Sequence, residues 1–595
     1  MNSRTLRYSL LVFLLLISAG ICIWGINFGL PGLFHSDEQA LVKRALRFGS
    51  GDLNPHFFYY PTLHMYFLFI AYGIFFVAGR IFGIFTSVQE FAFSYIRDPS
   101  YIYLIGRSLS ALPSVASVYL TYRIARRMFA SWYAGILAGI FFIAIPRVPT
   151  MSRVIKPDPM MVMFVLLFFD RCLEILDEIS AGYDENNSIK NYILAGFYIG
   201  LASSLKYNAM PMFILIPVAQ IIRKLRINGN SLPRFLRGFS ITDVKKTSSA
   251  LLSSAIGFTI GTPYWIPDFG TFRRHFIQMI DYTAQSQTLS DGSFQFFPSW
   301  LTYLKEMIFL GASLPFLGLL CAAGTGYYLF FHKNKDKVLL AVVSVLVFYM
   351  VCARQKIPGW WYLAPVFPLY ASLGAGFVTE RIKDVVLNLK KYQLKASLFD
   401  NKHTVIIAGA VTVLWTIIAV GNSMSMSINE ARALASRDVR LDAREWIERN
   451  IPPGSKILLD QYGPPILRSK KLIRQQYELA VKLNNPKKDY FRLQMEAQQG
   501  VEYDYWDIER QATAPEERVR QSREVELMEP LPSDIKILRD KGFKYVILTL
   551  PPMSNGGENK TQDEEILDKR AKCLKEFVPL RWVPSHHFRI KIYAL

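Results

Sequence analysis

Cysteine is scarce in this chain and nucleotide-binding loops are missing from it. Only five cysteines occur among 595 residues, at Cys22, Cys172, Cys321, Cys352 and Cys573, with no CxxC and no paired spacing. That scatter supports neither a disulfide framework nor a zinc site. No GxxxxGK[ST] loop and no GxGxxG turn occurs, so no cytoplasmic nucleotide site is read here. Acidic residues are also short, 47 against 68 Lys and Arg, for a net charge of +21. There is no internal repeat and no low-complexity tract.

Apolar residues make up 51% of the chain and mean hydropathy is +0.20. They are concentrated in windows such as 8–24, 338–351 and 404–420, which are nearly free of charge. A stretch of roughly 18–20 apolar residues is long enough to cross hydrocarbon, and several in one chain indicate a polytopic α-helical membrane protein. The excess of cations lies largely in short loops between these windows, where positive charge is retained on the cytoplasmic side. Nucleic acid is therefore not an expected partner, whereas membrane lipid is.

The expected spans are 8–28, 101–122, 131–148, 158–176, 191–205, 208–223, 247–265, 306–331, 337–352, 360–379 and 404–422. Arg4 and Arg7, then Arg123, Arg126 and Arg127, then Arg223, Lys224, Arg226, Arg234 and Arg237, then Lys333, Lys335 and Lys337, and finally Arg381, Lys383, Lys390 and Lys391 mark one face as cytoplasmic. The first apolar run follows a signal-peptide pattern but has no small-residue cleavage site, so it reads as an uncleaved helix. A further apolar stretch, 62–85, cannot be one simple crossing if these assignments hold, and it reads as an outer juxtamembrane helix. The acidic loop 177–191 is the weak point of this topology. Eleven crossings with the N-terminus inside make residues 1–422 a transmembrane domain, with a first outer loop at about 29–100. Residues 423–595 become an extracytoplasmic α/β domain, in which residues 431–450 read as a helix and 456–460, 544–550 and 588–594 as strands. The expected location is the cell (inner) membrane.

Charged residues at a membrane edge are costly unless solvated or used, which makes the outer loops the place to look for chemistry. Asp37 and Glu38 are adjacent carboxylates in the first outer loop, suited to taking a proton from an attacking hydroxyl or amine. The same pair also suits a helix start, because Ser36 and Gln39 form a capping-box pattern and acids in a first turn favour the helix dipole. His56 and Tyr60 share that loop and join the candidate substrate contacts. Arg153, Lys156 and Asp158 lie between two spans, where cations can hold phosphate and Asp158 can orient one of them. Lys206 sits between two spans on the outer face, against the charge bias, and an anionic lipid phosphate would supply its partner. Arg354 and Lys356 precede Trp360, Trp361 and Tyr362, aromatics that also fit an interfacial belt. Arg107 opens another span. Cations that hold and stabilise a leaving phosphate, with a carboxylate that deprotonates an acceptor, fit sugar transfer from a lipid phosphate.

The motifs then become recognisable. Asp37-Glu38, Gly51-Asp52 and Pro55 occur in order, followed by Tyr60-Pro61-Thr62, Arg107 in residues 107–115, and Arg123-Ile-Ala-Arg-Arg. Residues 153–158, 196–207 and Thr262-Pro-Tyr come next, and then Ala443-Arg-Glu-Trp-Ile with Ile451-Pro-Pro-Gly-Ser. With these motifs the chain resembles the polyprenyl-phosphate-sugar-dependent glycosyltransferases of the C-type membrane fold (GT-C), in the protein O-mannosyltransferase and aminoarabinose transferase group. The resemblance implies Asp37 as catalytic base, Glu38 as its neighbour, and Lys206, Arg107 and Arg153 as contacts for the carrier phosphate. It implies a polyprenyl-phosphate-linked sugar as donor, an unspecified acceptor and no cofactor, with a divalent metal left open because related oligosaccharyltransferases use one. Tyr60 stands where the aminoarabinose type has lysine, which argues against lipid A modification. A transporter or flippase, and a ligase of lipid-linked oligosaccharide, are the competing readings.

Overall fold

The computed structural model describes residues 3–177, 185–227, 240–284, 297–331, 336–355, 358–392, 402–485, 487–509, 525–550, 560–579 and 588–595. Arg234, Arg237, Lys333 and Lys335 lie outside them. The chain is mostly helical and forms two compact units. One comprises Met1–Trp24, Arg44–Phe69 and Gly106–Asn429, and the other Gly25–Lys43, Ile70–Ile105 and Glu430–Leu595.

In the first unit, helices occupy the intervals read as spans, among them Ser3–Ile23, Ser100–Phe129, Trp132–Ala144, Asp158–Asp177, Glu185–Ser203, Leu215–Ile227 and Ile241–Gly261. Among the described residues, five helical stretches are long and apolar enough to cross a membrane by length and composition: Arg4–Ile23, Leu63–Ile81, Asp336–Ala353, Trp360–Leu387 and Ile407–Asn450. Residues such as Leu16, Val12, Ile407 and Ile417 leave large apolar surface exposed on these helices. Such a surface is stable against lipid and not against water.

Ion pairs gather one set of helix ends. Arg127, near the end of Ser100–Phe129, meets Glu174 and Asp177 at 2.6 Å each, both near the end of Asp158–Asp177. Arg123 reaches the buried Asp170 at 2.9 Å. Lys337, opening Asp336–Ala353, meets Asp177 at 2.5 Å, and Lys224 meets Asp243, in the first turn of Ile241–Gly261, at 2.7 Å. Every pair joins ends that the expected alternation assigns to the same face. Asp177, an acid that seemed out of place beside a basic face, is the counter-ion of that face's cations.

One expected span differs, and one expected juxtamembrane stretch is long enough to be a span. Residues 306–331 are two helices, Trp300–Phe309 and Phe316–Phe330, because Leu310 and Gly311 turn into the left-handed region (φ +53° and +82°) and Pro315 starts the next helix. Residues 62–85 form a continuous helix, Leu63–Ile81, of about 28 Å at 1.5 Å per residue. Arg80 lies in its last turn, and Gln89 and Glu90 belong to the next helix, Val88–Arg97. Length alone therefore lets Leu63–Ile81 cross. Its far half, however, belongs to the second unit, where Phe75 and Phe76 pack against Phe85 and Phe91. Val88–Arg97 in turn packs on Lys488–Ala497, with Arg97 Nε donating to the Ala497 carbonyl at 3.2 Å.

The second unit is organised by a sheet of β1 (Lys456–Leu459), β2 (Leu467–Arg468), β3 (Glu502–Ile508), β4 (Met528–Glu529), β5 (Tyr545–Leu550), β6 (Lys572–Phe577) and β7 (Arg589–Ala594), in the order β2-β3-β1-β5-β7-β6 with β4 beside β3. The central strands are β1 (Lys456–Leu459), β3 (Glu502–Ile508) and β5 (Tyr545–Leu550), all parallel, and β7 (Arg589–Ala594) runs antiparallel to β5. Successive side chains alternate between faces. Ile457 and Leu459 join Ile547, Ile590 and Ile592 under the Val439–Asn450 helix, whereas Leu458 joins Val546, Leu548 and Tyr593 on the other face. Burial on both faces explains why these strands read as short apolar runs. The Lys402–Ala435 helix runs unbroken through residue 423, and the division between units falls at Asn429 and Glu430.

Candidate functional site

Small residues set the position of Lys206. In Glu185–Ser203, Gly196 and Gly200 face Ala250 and Ser254 of Ile241–Gly261 so closely that a methyl group on either would strike a backbone carbonyl. Gly257 and Gly261 return the contact toward Phe197 and Ser204. This close approach of two backbones is the small-xxx-small packing of membrane helices. The Glu185–Ser203 helix then ends. Lys206 is extended (φ −156°, ψ 127°) and Tyr207–Ile214 continues as 3-10 helix. The Leu63 amide donates to the Ser204 carbonyl at 3.2 Å, which ties the start of Leu63–Ile81 to the same turn.

Lys206 Nζ meets Asp158 Oδ1 at 2.6 Å. Asp158 opens the Asp158–Asp177 helix between Pro157 and Pro159, where a carboxylate is favoured by the helix dipole. It is 1% exposed. His64, also 1% exposed, lies within electrostatic range of Asp158.

Three cations from three separate segments lie on three consecutive aromatic rings. Arg147 sits 4.9 Å from the Trp360 ring centroid, Lys156 5.3 Å from Trp361 and Lys206 5.1 Å from Tyr362. Each contact is worth about 0.5–2 kcal/mol, more where water is excluded. Arg147 also forms a two-point ion pair with Glu306, at 2.8 and 3.1 Å. The Lys156 backbone is held by Ser110, whose Oγ donates to its carbonyl at 3.2 Å. Ser110 lies one turn after Arg107, which is 1% exposed.

Arg153 is anchored to the first helix. Its Nε and Nη2 donate to the Trp24 and Ile21 carbonyls at 2.9 and 2.8 Å, closing the end of Ser3–Ile23. Arg354 is exposed just after Asp336–Ala353, and Lys356 lies outside the described residues.

In the loop between Ser36–Arg47 and Leu63–Ile81, His56 stands between two carboxylates, 3.0 Å from Asp52 and 3.3 Å from Asp268. The backbone N–H of Asn54, with His56, holds Asp52 below the usual carboxylate range. Burial pushes Asp268 upward, but hydrogen bonds from Asn54 and Thr271 outweigh it and its carboxyl is lowered too. His56 adopts φ +46°, a left-handed conformation rare outside glycine. The Tyr60 ring lies 6.5 Å from Phe57, which in turn carries the Arg44 guanidinium at 3.6 Å.

Asp37 and Glu38 belong to the second unit and occupy the first turn of Ser36–Arg47. Asp37 is half-buried. Glu38 is fully buried and interacts electrostatically with Tyr72 and Tyr103. Gln39 spends its side-chain amide on the Leu33 carbonyl at 2.6 Å.

Among these groups, Arg147, Glu306, Ser110 and His64 escaped the sequence reading. Glu306 had a signal, an acid at the start of an apolar run. His64 had none beyond its place next to Thr62 and Leu63.

Residues 78–236 match the family model described as dolichyl-phosphate-mannose-protein mannosyltransferase. The resemblance read from the motifs is thereby borne out over an interval that holds Arg107, Arg153, Lys156, Asp158 and Lys206. No curated protein matches the chain. Among solved structures, the chain is similar to ArnT from Cupriavidus metallidurans bound to undecaprenyl phosphate, at 12% identity and TM-score 0.48, covering 98% of this chain and 97% of that one. It is also similar to the oligosaccharyltransferase AglB from Archaeoglobus fulgidus in complex with an inhibitory peptide and a dolichol-phosphate, at 12% identity and TM-score 0.45, covering 90% and 69%.

Proposed function

We propose that this protein is a membrane glycosyltransferase that moves a sugar from a polyprenyl-phosphate carrier to an acceptor on the extracytoplasmic face. The observation that carries the reading is the pairing of Lys206 with the buried Asp158, set in a row of cations on aromatic rings and lying within the interval of the mannosyltransferase family match.

The chemistry follows from charge. An acceptor hydroxyl or amine attacks the anomeric carbon of the carrier-linked sugar, and the carbon–oxygen bond to phosphate breaks with its electron pair on the phosphate oxygen. Lys206 and Lys156 meet the growing negative charge, Arg107 supports them, and the aromatic rings keep the two ammonium groups in place with little water between. On the resemblance, Asp37 takes the acceptor proton, with Glu38 as its neighbour. Arg153 holds the first helix rather than the phosphate.

The expected topology follows the same reading, with Arg123, Arg127, Lys224 and Lys337 on the cytoplasmic face and Asp158 and Lys206 on the other. Leu63–Ile81 stays with the outer side, because its far half shares a unit with the sheet domain. A transporter would line its helices with charge at the bilayer midplane. Between Asp158 and Asp170 the helix carries no charged residue, which favours chemistry at one face.

The test is transfer by purified protein in liposomes that contain a polyprenyl phosphate bearing a radiolabelled sugar, supplied with membrane extract as acceptor source. Label should leave the carrier only when protein is present. Label that crosses the bilayer still attached to the carrier would overturn the reading in favour of a flippase.

A further inference from the structure

We propose that Arg440, at the start of the Val439–Asn450 helix, is a positioning residue for Asp37. Its guanidinium holds the Phe34 ring and thereby sets the turn in which Asp37 stands. The inference rests on Asp37 as the acceptor-side base and gives the sheet domain a part in that chemistry.

Residues 25–43 belong to the same unit as residues 430–595. Close contacts join them. Gly25 lies so near the end of Lys402–Ala435 that a methyl group on it would stand 3.0 Å from the Ala431 carbonyl oxygen. Farther along, the Arg440 guanidinium carbon lies 3.4 Å from the Phe34 ring centroid. The ring has little room in its own turn, because a methyl group on Gly29 or Gly32 would strike it. Gln39 ties the turn to the Ser36–Arg47 helix through the Leu33 carbonyl, at 2.6 Å. Phe34 therefore stands between Leu33, held by that helix, and Asp37 in the helix's first turn. A helix of 12 residues is marginal by itself in water, so the place of its first turn depends on such anchors.

Arg440 is itself fixed. It is 1% exposed, and its Nε and Nη2 donate to the two carboxylate oxygens of Asp438 at 2.9 and 2.6 Å. Asp438 is the N-cap of the helix and accepts the Arg440 backbone N–H at 2.9 Å. The two-point bond sets the guanidinium independently of the ring it meets. Phe588 lies 5.4 Å from the same guanidinium, just ahead of Arg589, which pairs with Leu550 at the end of β5. The Phe34 turn is thus docked at the carboxyl edge of the parallel strands, the edge where open α/β sheets build their sites. Lysine is no equivalent here, since it lacks the planar fork that engages Asp438 while lying on Phe34. A base is sensitive to its placement, and a shift of about 1 Å can cost about 100-fold in rate.

The test uses full-length protein in liposomes with a polyprenyl phosphate bearing a radiolabelled sugar, and membrane extract as acceptor source. Phe34→Leu keeps apolar bulk at a partly buried site, and Arg440→Lys keeps the charge. Each should lower kcat about 10- to 100-fold with donor KM unchanged, because Lys156 and Lys206 belong to the other unit. The double variant should fall no further than either single one, since both residues act through one contact. Hydrogen exchange should quicken in residues 29–40 of each variant and stay unchanged in β1 and β5. Wild-type kcat in both variants, additive losses in the double variant, or a raised donor KM overturns the proposal. Faster exchange throughout β1 and β5 marks a purely structural role and overturns it as well. If wild type moves no sugar, or Asp37→Asn moves as much, the reading of Asp37 fails and the proposal falls with it. Transfer lost in Asp37→Asn but unchanged in Phe34→Leu and Arg440→Lys refutes the positioning role alone.

Discussion

Asp158 holds the Lys206 ammonium at 2.6 Å with only 2% of its own side chain exposed. A pair this deeply placed is a poor source of stability, because desolvation offsets most of the attraction. Losing one partner is another matter. Asp158→Asn should destabilise the protein by about 3–5 kcal/mol by stranding the cation, measured as thermal unfolding in detergent. Lys206→Met, which removes the cation and keeps the bulk, should lower sugar transfer by about 100-fold or more. Transfer unchanged in Lys206→Met would remove that lysine from the chemistry.

Trp361 is expected to act through Lys156. Trp361→Ala should weaken donor binding by about 0.5–2 kcal/mol, visible as a raised KM for the lipid-linked sugar, while Trp361→Phe should recover part of it. An aromatic belt residue without this contact would leave KM unchanged in both variants.

The loop between Ser36–Arg47 and Leu63–Ile81 should be acid-sensitive. Asp52 and Asp268 are both lowered in the folded protein, so they stabilise it above their unfolded value, and that stabilisation is lost as pH falls through the folded values. Both are partly exposed, and solvent screening keeps the effect small. Protease cleavage within residues 48–58 should be constant at neutral pH and rise below about pH 4. His56→Ala should raise cleavage already at neutral pH.

At the opposite helix ends, Asp170 receives Arg123, Arg127 and Arg171 at 2.9, 3.4 and 2.9 Å. Asp170→Asn should cost about 3–5 kcal/mol of stability without changing donor KM. Thermal melts and donor titrations read on the same preparation check both halves of that expectation.

Much of this was legible in the sequence where one segment decides its own structure. Residues 456–460, 544–550 and 588–594 read as strands and appear as β1, β5 and β7, because short apolar runs buried on both faces leave little choice. Lys206 announced itself as a cation against the charge bias. The break at Leu310–Gly311 was overlooked although Gly311 and Pro315 were visible, because hydropathy stays high across it. What could not be read is pairing over distance. Lys156 meets Trp361, and Arg97 meets Ala497 some 400 residues away. The second unit is assembled from three separate pieces of chain, and only contacts define it. Arg153 was legible as a cation, and the Ile21 and Trp24 carbonyls that engage it were not.

The measurement that decides the account is a structure of the protein with a polyprenyl phosphate bound. The account predicts the phosphate oxygens at about 2.7–2.9 Å from Lys206 Nζ, with Lys156 nearby and the Asp158 contact lengthened. A phosphate bound elsewhere, with Lys206 still closed on Asp158, would contradict it.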